Sequence, residues 1–377
     1  MVNNKIKLLI LIKNLDGGTG TFIVNFLKIE KIFNGKLITK TITLEKPKFR
    51  KINKTLLIHK KDFYPHYYSF INSLKYLFSD ILLIRNIVNQ EKPNIILSVN
   101  NHANFIVSLS KLLFRFKTKI ILTHHNNLTQ IINSKCSTII RLFIKTLLPF
   151  LYKVGDTQIA VSNGVANDIK NLSKQKNIKV IYNGIKLNHF TKIKSLKLKK
   201  NIISAGRFDS QKDFFNLLKA FNILKDRLDN INLILVGDGS ENKKIKKYIN
   251  QKKLNNLVKI KKWQNNISKY FENSNLFVLS SLYEGFPYVI LEAMSFSLPI
   301  ISTDTPFGPR EILDNGKYGI LVPMKDPKAM ADAMYELLTN KIKYQYYSKK
   351  SLERVKYFSL DKMLRNYKKL ILDLLKE

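Results

Sequence analysis

Two glutamates stand eight positions apart between Ser280 and Thr303, and a Gly-Phe-Pro break separates them. Glu284 precedes the break and Glu292 follows it. Proline is tolerated in the first turn of a helix, so Pro287 predicts that a helix begins there. Glu292 then lies roughly 7–8 Å further along the helix axis. We therefore expect one carboxylate in a loop and the other behind it, where they can accept hydrogen bonds from the hydroxyls of a sugar and of a ribose.

The break itself supplies hydrogen-bond donors toward a phosphate or hydroxyl, because the backbone amides from Gly285 to Tyr288, apart from that of Pro287, carry an N–H. The alternative is that both glutamates are ordinary solvated side chains of a helix. That alternative fits poorly, since the neighbouring side chains are nearly all apolar: Phe286, Tyr288, Val289, Ile290, Leu291 and Met294.

Two cations follow another apolar run, NIISAG at 201–206. Arg207 comes directly after it, and Lys212 comes five residues later. Each alone would be a solvated surface charge. Placed together between a strand end and a helix start, they predict a small pocket for phosphate charge. Gly237 and Gly239 repeat the strand-then-glycine pattern nearby.

The first apolar run is followed by a glycine-rich turn that contains Gly17, Gly18 and Gly20. The free amides at the start of the helix that follows would favour an anion. The spacing is not G-x-G-x-x-G, and no acidic residue stands where a nicotinamide ribose would need it. A turn without a ligand is therefore an equally good interpretation.

Two adjacent histidines end the strand at 119–123. Adjacent side chains of a strand point to opposite faces, so His124 and His125 cannot both serve a site. We expect His125 to face the ligand side and His124 to be structural.

These residues need a scaffold, and the apolar pattern predicts one. Short continuous apolar runs alternate with longer helical patterns, which is typical of a parallel sheet covered by helices on both faces. The runs lie at 7–12, 94–99, 119–124, 157–162, 179–183, 201–206, 232–238, 276–281 and 298–303. The pattern occurs on both sides of a lysine-rich stretch at about 184–200, so we predict an α/β protein with two Rossmann-like, doubly wound domains that face each other across a cleft, and the stretch is the candidate linker.

The composition supports two soluble domains. A chain of 377 residues with 45% apolar side chains can bury two cores. A single cysteine, Cys136, excludes a disulfide framework and cysteine-rich metal sites, which fits a cytoplasmic location. The amino-terminal residues are expected to form a buried strand rather than a signal peptide.

The charge is extreme, with 65 Lys and Arg against 27 Asp and Glu, a net charge of +38. Nucleic acid, an anionic membrane surface and a mere bias in residue usage would each explain it. The basic residues are scattered, and no zinc finger, RNA-binding strand motif or DNA-reading helix is recognisable, so nucleic acid is not expected as a partner. Two basic amphipathic segments, 105–119 and 138–154, fit either the headgroup plane of a membrane or ordinary packing on a sheet.

Together these motifs resemble the family 4 retaining glycosyltransferases of the GT-B fold, and in particular those that assemble bacterial polysaccharides and glycans. The E-x7-E signature of the family corresponds to Glu284 and Glu292, and its AGR…K element corresponds to Arg207 and Lys212. Four further stretches are similar to the family as well: 160–169, 180–190, 235–245 and 317–323.

The resemblance implies a role for each matching residue. Arg207 and Lys212 would neutralise the departing diphosphate, and Glu292 would hold the ribose. Glu284, with the amides of the Gly285-Phe286-Pro287 break, would hold the donor sugar.

Further positions follow from the same resemblance. His125 would sit over the donor sugar near the acceptor hydroxyl, and Gly18 would let the first loop approach the same place to help bind the donor. Gly237 lies in a matching stretch, and Trp263 falls where the base-contacting segment lies, although a core role is equally open. The segment 304–313 resembles a variant found with galactose-type or N-acetylhexosamine sugars, so Pro309, Arg310 and Glu311 would shape specificity.

The implied domains are an acceptor-side domain at 1–185, a nucleotide-sugar domain at 186–357 and a terminal helix at 358–377 that packs back on the first domain. The implied reaction moves a hexose or N-acetylhexosamine, with retention, from a UDP-linked donor to a glycan or lipid-linked acceptor. No cofactor and no metal are expected, because the sequence has no Asp-x-Asp element in the right place and two cations already face the diphosphate. The alternative is a basic nucleic-acid-binding protein without transferase activity.

Overall fold

The computed structural model describes residues 5–45, 55–56, 70–187, 200–264 and 267–376. The chain divides into two compact units, one of Met1–Gly184 with Asp361–Glu377 and one of Ile185–Leu360. Most of the predicted lysine-rich linker, 188–199, lies outside the described residues. Each unit is built on its own parallel sheet.

The first unit contains a seven-stranded sheet in the order β3-β2-β1-β4-β5-β6-β7. All its strand pairs are parallel. The strands are β1 (Ile6–Ile12), β2 (Leu37–Thr43), β3 (Thr55–Leu56), β4 (Ile95–Val99), β5 (Lys119–His124), β6 (Thr157–Ala160) and β7 (Ile178–Val180).

The helices of the first unit follow its strands. They are α1 (Gly17–Phe26), α2 (Ile29–Ile32), α3 (Phe70–Glu91), α4 (Asn101–Phe114), α5 (Leu128–Lys135), α6 (Thr138–Tyr152) and α7 (Asn163–Ser173). Strand order turns outward in both directions from β1 and β4, and right-handed crossovers therefore place helices on both faces of the sheet.

The second unit contains a six-stranded parallel sheet in the order β10-β9-β8-β11-β12-β13. Its strands are β8 (Lys200–Ala205), β9 (Ile231–Val236), β10 (Val258–Lys261), β11 (Leu276–Leu279), β12 (Ile300–Thr303) and β13 (Ile320–Val322). Its helices are α8 (Phe214–Lys225), α9 (Asn242–Gln251), α10 (Ser268–Glu272), α11 (Tyr288–Ser295), α12 (Pro309–Ile312), α13 (Pro327–Thr339) and α14 (Lys341–Val355), with 3-10 turns at Ser210–Lys212 and Lys356–Phe358.

The central strands are buried on both faces, as continuous apolar runs predict. Every residue of β4, β11 and β12 is buried. The prediction of two Rossmann-like parallel-sheet domains is therefore confirmed, and all nine predicted strands are present. The apolar pattern does not predict β2, β3, β10 and β13, which are short, or carry polar side chains, or both.

A last helix, α15 (Leu360–Lys376), returns the chain to the first unit. Its apolar stripe is buried throughout: Leu360, Met363, Leu364, Tyr367, Leu370, Ile371 and Leu374. The Tyr367 ring packs on Phe22 and Phe26 at centroid distances of 5.9 and 5.0 Å. Within the described residues, no helix is long and apolar enough to span a bilayer.

Candidate active site

The second unit changes direction between β8 and β11. These strands are neighbours in the sheet, although β9 and β10 lie between them in the chain. The connections after β8 and after β11 therefore lead toward opposite edges of the sheet. Such a switch point opens a crevice at the carboxyl ends of the strands, where ligands bind in sheets of this kind. The loops after β8 and β11 carry Arg207, Lys212 and Glu284, so topology brings the predicted cations and the first carboxylate to one place.

The decisive contact in this crevice is an ion pair. The Lys212 ammonium lies 2.5 Å from Oε1 of Glu284, and the Ser281 hydroxyl donates to the same oxygen at 2.6 Å. The lysine side chain is 14% exposed and the glutamate side chain 8%. A charge pair with so little water around it is held in one geometry, and removing either partner leaves the other poorly compensated.

Hydrogen bonds fasten the two loops to each other. The Leu282 amide donates to the Gln211 carbonyl at 2.8 Å, and the Gln211 side-chain amide donates to the carbonyl of Tyr283 at 2.9 Å. The Ser280 hydroxyl donates to the Lys212 carbonyl at 2.8 Å. These contacts hold the Lys212–Glu284 pair at a fixed height above the sheet.

Arg207 is placed differently. Its side chain is 63% exposed and lies 3.2 Å from the Asp209 carboxylate. The structure therefore brings Lys212 onto Glu284 but leaves Arg207 at the solvent side of the same loop. An exposed guanidinium of this kind is free to turn toward an anion at small cost, because its pairing with Asp209 is a surface ion pair.

Gly237 and Gly239 allow two loops to approach more closely than any side chain would permit. A Cβ at Gly237 would lie 1.9 Å from the Gly206 carbonyl oxygen, and one at Gly239 would lie 2.4 Å from the Phe208 carbonyl oxygen. The Phe208 amide donates to the Asp238 carbonyl at 2.9 Å across this seam. The two glycines thus support the backbone on either side of Arg207.

The Gly-Phe-Pro break leads into α11. Gly285, Phe286, Pro287 and Tyr288 are buried, and Pro287 occupies the position just before the helix rather than its first turn. Glu292 lies in the second turn of α11 and is partly buried. The helix therefore carries this carboxylate behind the break, as its spacing predicts.

A neighbouring loop closes on the break. A Cβ at Gly308, whose φ is +79°, would lie 2.9 Å from both the Gly285 carbonyl oxygen and Cδ of Pro287. Arg310 in α12 pairs with Asp304 through two nitrogens.

Arg354 holds α12 from the other side, since its guanidinium donates to the carbonyls of Glu311 and Ile312 at 2.8 and 2.7 Å. The segment from Asp304 to Glu311 is thus a rigid wall beside the break.

Trp263 follows the edge strand β10 and is half-buried. Its neighbour Gln264 donates to the Tyr270 hydroxyl at 3.3 Å. The next residues, 265–266, lie outside the described part of the chain, so Trp263 is placed at the carboxyl edge of the sheet without its following loop.

In the first unit, His124 is a core residue. Its Nε2 lies 3.1 Å from Oε1 of Gln158 and its Nδ1 lies 3.4 Å from Nδ2 of Asn104. Burial lowers the pKa of His124 to about 4, although the contact with Gln158 acts in the opposite direction. His124 is therefore neutral and structural.

His125 lies at the carboxyl end of β5 and is also buried. Its Nε2 lies 3.0 Å from the Thr123 hydroxyl, and its ring packs on Phe22 of α1 with centroids 4.6 Å apart. Burial, and secondarily His124, lower the pKa of His125 to about 3. A neutral imidazole with so low a pKa can hydrogen-bond a hydroxyl but is a poor acceptor for its proton.

Gly18 is the second residue of α1 and is exposed. Helix α1 connects Gly18 with His125, because Phe22, whose ring packs on His125, lies four residues after Gly18 in the same helix. Gly18 and His125 thus both belong to the first unit, whereas the other predicted site residues lie in the second unit. Among the described residues, no group of three or more His, Cys, Asp or Glu side chains could hold a metal ion.

Comparison with known protein families matches both halves of the chain. A family model described as "Glycosyl transferases group 1" matches residues 186–354, and one described as "Glycosyltransferase Family 4" matches residues 42–189. An uncharacterised glycosyltransferase of Methanocaldococcus jannaschii is 31% identical over 336 residues, which cover 76% of this chain and 81% of that protein. The chain belongs to the group 1, family 4 glycosyltransferases.

Other relatives of this glycosyltransferase have specific names. The Campylobacter jejuni N-acetylgalactosamine-N,N'-diacetylbacillosaminyl-diphospho-undecaprenol 4-alpha-N-acetylgalactosaminyltransferase is 26% identical over 286 residues, covering 72% of this chain and 74% of that protein. Among solved structures, sucrose-phosphate synthase from Thermosynechococcus elongatus has a TM-score of 0.79 at 17% identity and covers 98% of this chain and 99% of its own. HepE of Anabaena, solved with UDP, has a TM-score of 0.73 at 16% identity, with 98% and 100% covered. The fold is therefore GT-B, as the sequence resemblance implied.

Proposed function

We propose that this glycosyltransferase moves a hexose or N-acetylhexosamine, with retention of configuration, from a UDP-linked donor to a glycan or lipid-linked acceptor in cell-surface polysaccharide assembly, in the cytoplasm. The observation that carries the proposal is the Lys212–Glu284 pair at the switch point of the second sheet. It places a cation and a carboxylate, the groups that a diphosphate and a sugar hydroxyl require, within one hydrogen bond of each other.

The donor would be held by groups of the second unit. An ammonium has three N–H donors, so Lys212 can keep its contact with Glu284 and also bind a phosphate oxygen. Both observed contacts of Glu284 use Oε1, which leaves Oε2 for a hydroxyl of the donor sugar. Arg207 would turn from Asp209 to the diphosphate, and Glu292 would accept from the ribose hydroxyls.

The proposed reaction needs no side chain of the protein to act as a base. The bond from the anomeric carbon to the β-phosphate oxygen breaks, and its electron pair stays on the diphosphate, whose charge Arg207 and Lys212 stabilise. The acceptor oxygen attacks from the same face, and its proton passes to the departing β-phosphate oxygen. The low pKa of His125 supports this route, because it leaves that residue a hydrogen-bonding role near the acceptor.

The names of relatives support the choice of substrates. One relative is named as a transferase of N-acetylgalactosamine acting on a diphospho-undecaprenol-linked saccharide, and another as a poly(glycerol-phosphate) alpha-glucosyltransferase. The solved pneumococcal O-GlcNAc transferase with UDP and GlcNAc supports UDP as the nucleotide.

A turnover assay tests the proposal. The protein is incubated in EDTA with UDP-glucose, UDP-galactose and their N-acetylated counterparts, together with polyprenyl-diphosphate-linked saccharides, and the product is examined by NMR. We expect one donor to be consumed without metal and an α-linked product to form. A β-linked product would overturn retention, a strict need for Mg²⁺ or Mn²⁺ would overturn metal independence, and consumption of none of these donors would overturn the choice of UDP sugars.

A further inference from the structure

Helix α6 of the first unit has an apolar face that is exposed within the described part of the chain. Ile139 is 82% exposed and Phe143 is 62% exposed, and Phe150 is exposed as well. At 100° per residue these three positions fall within about 40° of one another on the helix. Ile140 and Leu142, also exposed, flank them. Thr146 lies between Phe143 and Phe150, and its hydroxyl donates to the Phe143 carbonyl at 2.9 Å. Several exposed apolar side chains on one side of a helix in a folded domain indicate an interaction site.

Positive charge lies beside this strip. Lys145 lies on the same helix and Lys153 directly follows it, and both are exposed. The exposed ring of Phe150 lines an open cavity of about 740 Å³, and lysines line that cavity too: Lys153, Lys174, Lys176 and Lys179. The acidic lining groups are Asp156 and Asp373, and Asp156 is already neutralised by Lys111 at 3.0 Å and Lys119 at 3.7 Å.

The neighbouring helix extends the same combination. Helix α4 packs against α6 and carries Leu112 and Leu113, both exposed, in its last turn. Arg115 and Lys117 follow directly and are exposed too. Apolar side chains therefore alternate with basic ones across both helices, without a cluster of acidic groups between them.

We propose that the exposed face of α6, with the lysine-lined cavity beside Phe150, is a docking surface for an anionic lipid bilayer. Apolar side chains of an amphipathic helix enter the boundary between headgroups and acyl chains, and nearby lysines attract anionic lipid. Charge decides between a bilayer and a second copy of this chain, because two copies meeting through this face would bring their lysines together. The inference goes beyond the proposed reaction, since a bilayer can hold the protein whatever sugar it transfers.

Vesicle co-sedimentation of the full chain tests the docking surface. The probes are vesicles of phosphatidylcholine alone and of phosphatidylcholine with 30% phosphatidylglycerol. The variant is Ile139→Glu/Phe143→Glu, and the matched control is Ile342→Glu/Tyr346→Glu on α14. Ile342 is 82% exposed, as Ile139 is, and Tyr346 is exposed, as Phe143 is. In each pair the second residue follows the first by four positions, and both double variants change the net charge by the same amount.

We expect the wild type and the control to bind the anionic vesicles and the α6 variant to bind at least tenfold more weakly. Lys176→Gln/Lys179→Gln should weaken binding by roughly fivefold per lysine at low salt, whereas Lys243→Gln/Lys246→Gln on α9 should have little effect.

Equal losses in the α6 variant and its control would overturn the proposal, because they would show binding through overall charge alone. Absence of wild-type binding to either vesicle would overturn it as well. So would a dimer that Ile139→Glu/Phe143→Glu converts to a monomer while vesicle binding persists, since the face would then serve self-association. Donor turnover without vesicles is measured in parallel, so that failure of docking and failure of the proposed reaction are seen separately.

Discussion

At the scale of single residues, Lys212 carries both structure and chemistry. Lys212→Met leaves the Glu284 carboxylate buried without its cation, and we expect unfolding of the second unit to become easier by about 3–5 kcal/mol. Loss of positive charge beside the diphosphate should lower kcat roughly a hundredfold. Denaturant titration and initial rates measure the two effects.

The double variant Lys212→Met/Glu284→Gln separates them. Because no unpaired charge remains, it should regain most of the lost stability, while kcat should stay low. Recovery of kcat together with stability would contradict a direct role of Lys212 in the reaction, and would show that the pair acts only as a structural contact.

The buried histidines make the first unit sensitive to acid. Their pKa values are depressed, to about 4 for His124 and about 3 for His125. Between pH 6.5 and these values, the unfolded chain therefore binds protons that the native state does not. Stability is fully present above pH 6.5 and falls as the pH decreases, by about 1.4 kcal/mol per pH unit for each histidine.

A variant isolates one histidine from the remaining charges of the chain. Between pH 7 and pH 5, His125→Phe should lose about 2 kcal/mol less free energy of unfolding than the wild type, because one proton-binding group has been removed from the unfolded state. Urea titrations of both proteins at the two pH values give the difference. An identical pH dependence would mean that His125 is protonated in the folded protein.

At the scale of elements, α15 is an integral part of the first unit. Tyr367→Ala removes a fully buried ring from the cluster with Phe22 and Phe26, and should cost about 3–5 kcal/mol. Tyr367→Phe is the matched control. The buried hydroxyl has no hydrogen-bond partner within the described residues, so its removal should be neutral or stabilising. A Tyr367→Phe loss as large as that of Tyr367→Ala would contradict this packing.

The close approach of the loops after β8 and β9 depends on the absence of a side chain at Gly237. Gly237→Ala would place a Cβ 1.9 Å from the Gly206 carbonyl oxygen, so one of the two loops must move. We expect a lower melting temperature and weaker nucleotide binding, because Gly206 directly precedes Arg207. Calorimetric titration with UDP measures the affinity. An unchanged affinity would place the nucleotide away from this loop.

The sequence pattern predicted the strands that are continuous apolar runs and missed those that are very short or carry polar side chains. Strands such as β4 and β11 are continuous apolar runs and were predictable. By contrast, β2 reads LITKTIT, and its Thr39, Thr41 and Thr43 are nevertheless buried. Periodicity cannot identify such a strand, because its burial is decided by the elements that cover it.

The same limit applies to the site. The types and spacing of Arg207, Lys212, Glu284 and Glu292 were informative, because they follow apolar strands, and ligands bind at the carboxyl ends of the strands in sheets of this kind. The supports of the site, including Gln211, Ser280 and Arg354, have ordinary local sequences. Their roles come from hydrogen bonds between segments about 70 or 40 residues apart, which no local pattern encodes.

At the scale of the whole molecule, the chain consists of two units with separate sheets and separate cores. Donor-binding residues are proposed in the second unit, and His125, Gly18 and the α6 surface belong to the first. A ligand of one unit should therefore raise the unfolding temperature of that unit most, and a calorimetric scan should resolve the shift if the units unfold separately.

The most direct test of the central claim is a melting-temperature panel with UDP, GDP, ADP and their sugars, run on the wild type, Glu292→Ala and the control Glu336→Ala. Glu336 lies on α13 of the same unit and pairs with Lys343. At a hundred times Kd, a ligand stabilises by about 2.7 kcal/mol, which corresponds to a shift of several degrees. We predict a shift with the UDP series that Glu336→Ala retains and Glu292→Ala loses. No shift with any nucleotide, or an equal shift in all three proteins, would contradict the proposed donor site.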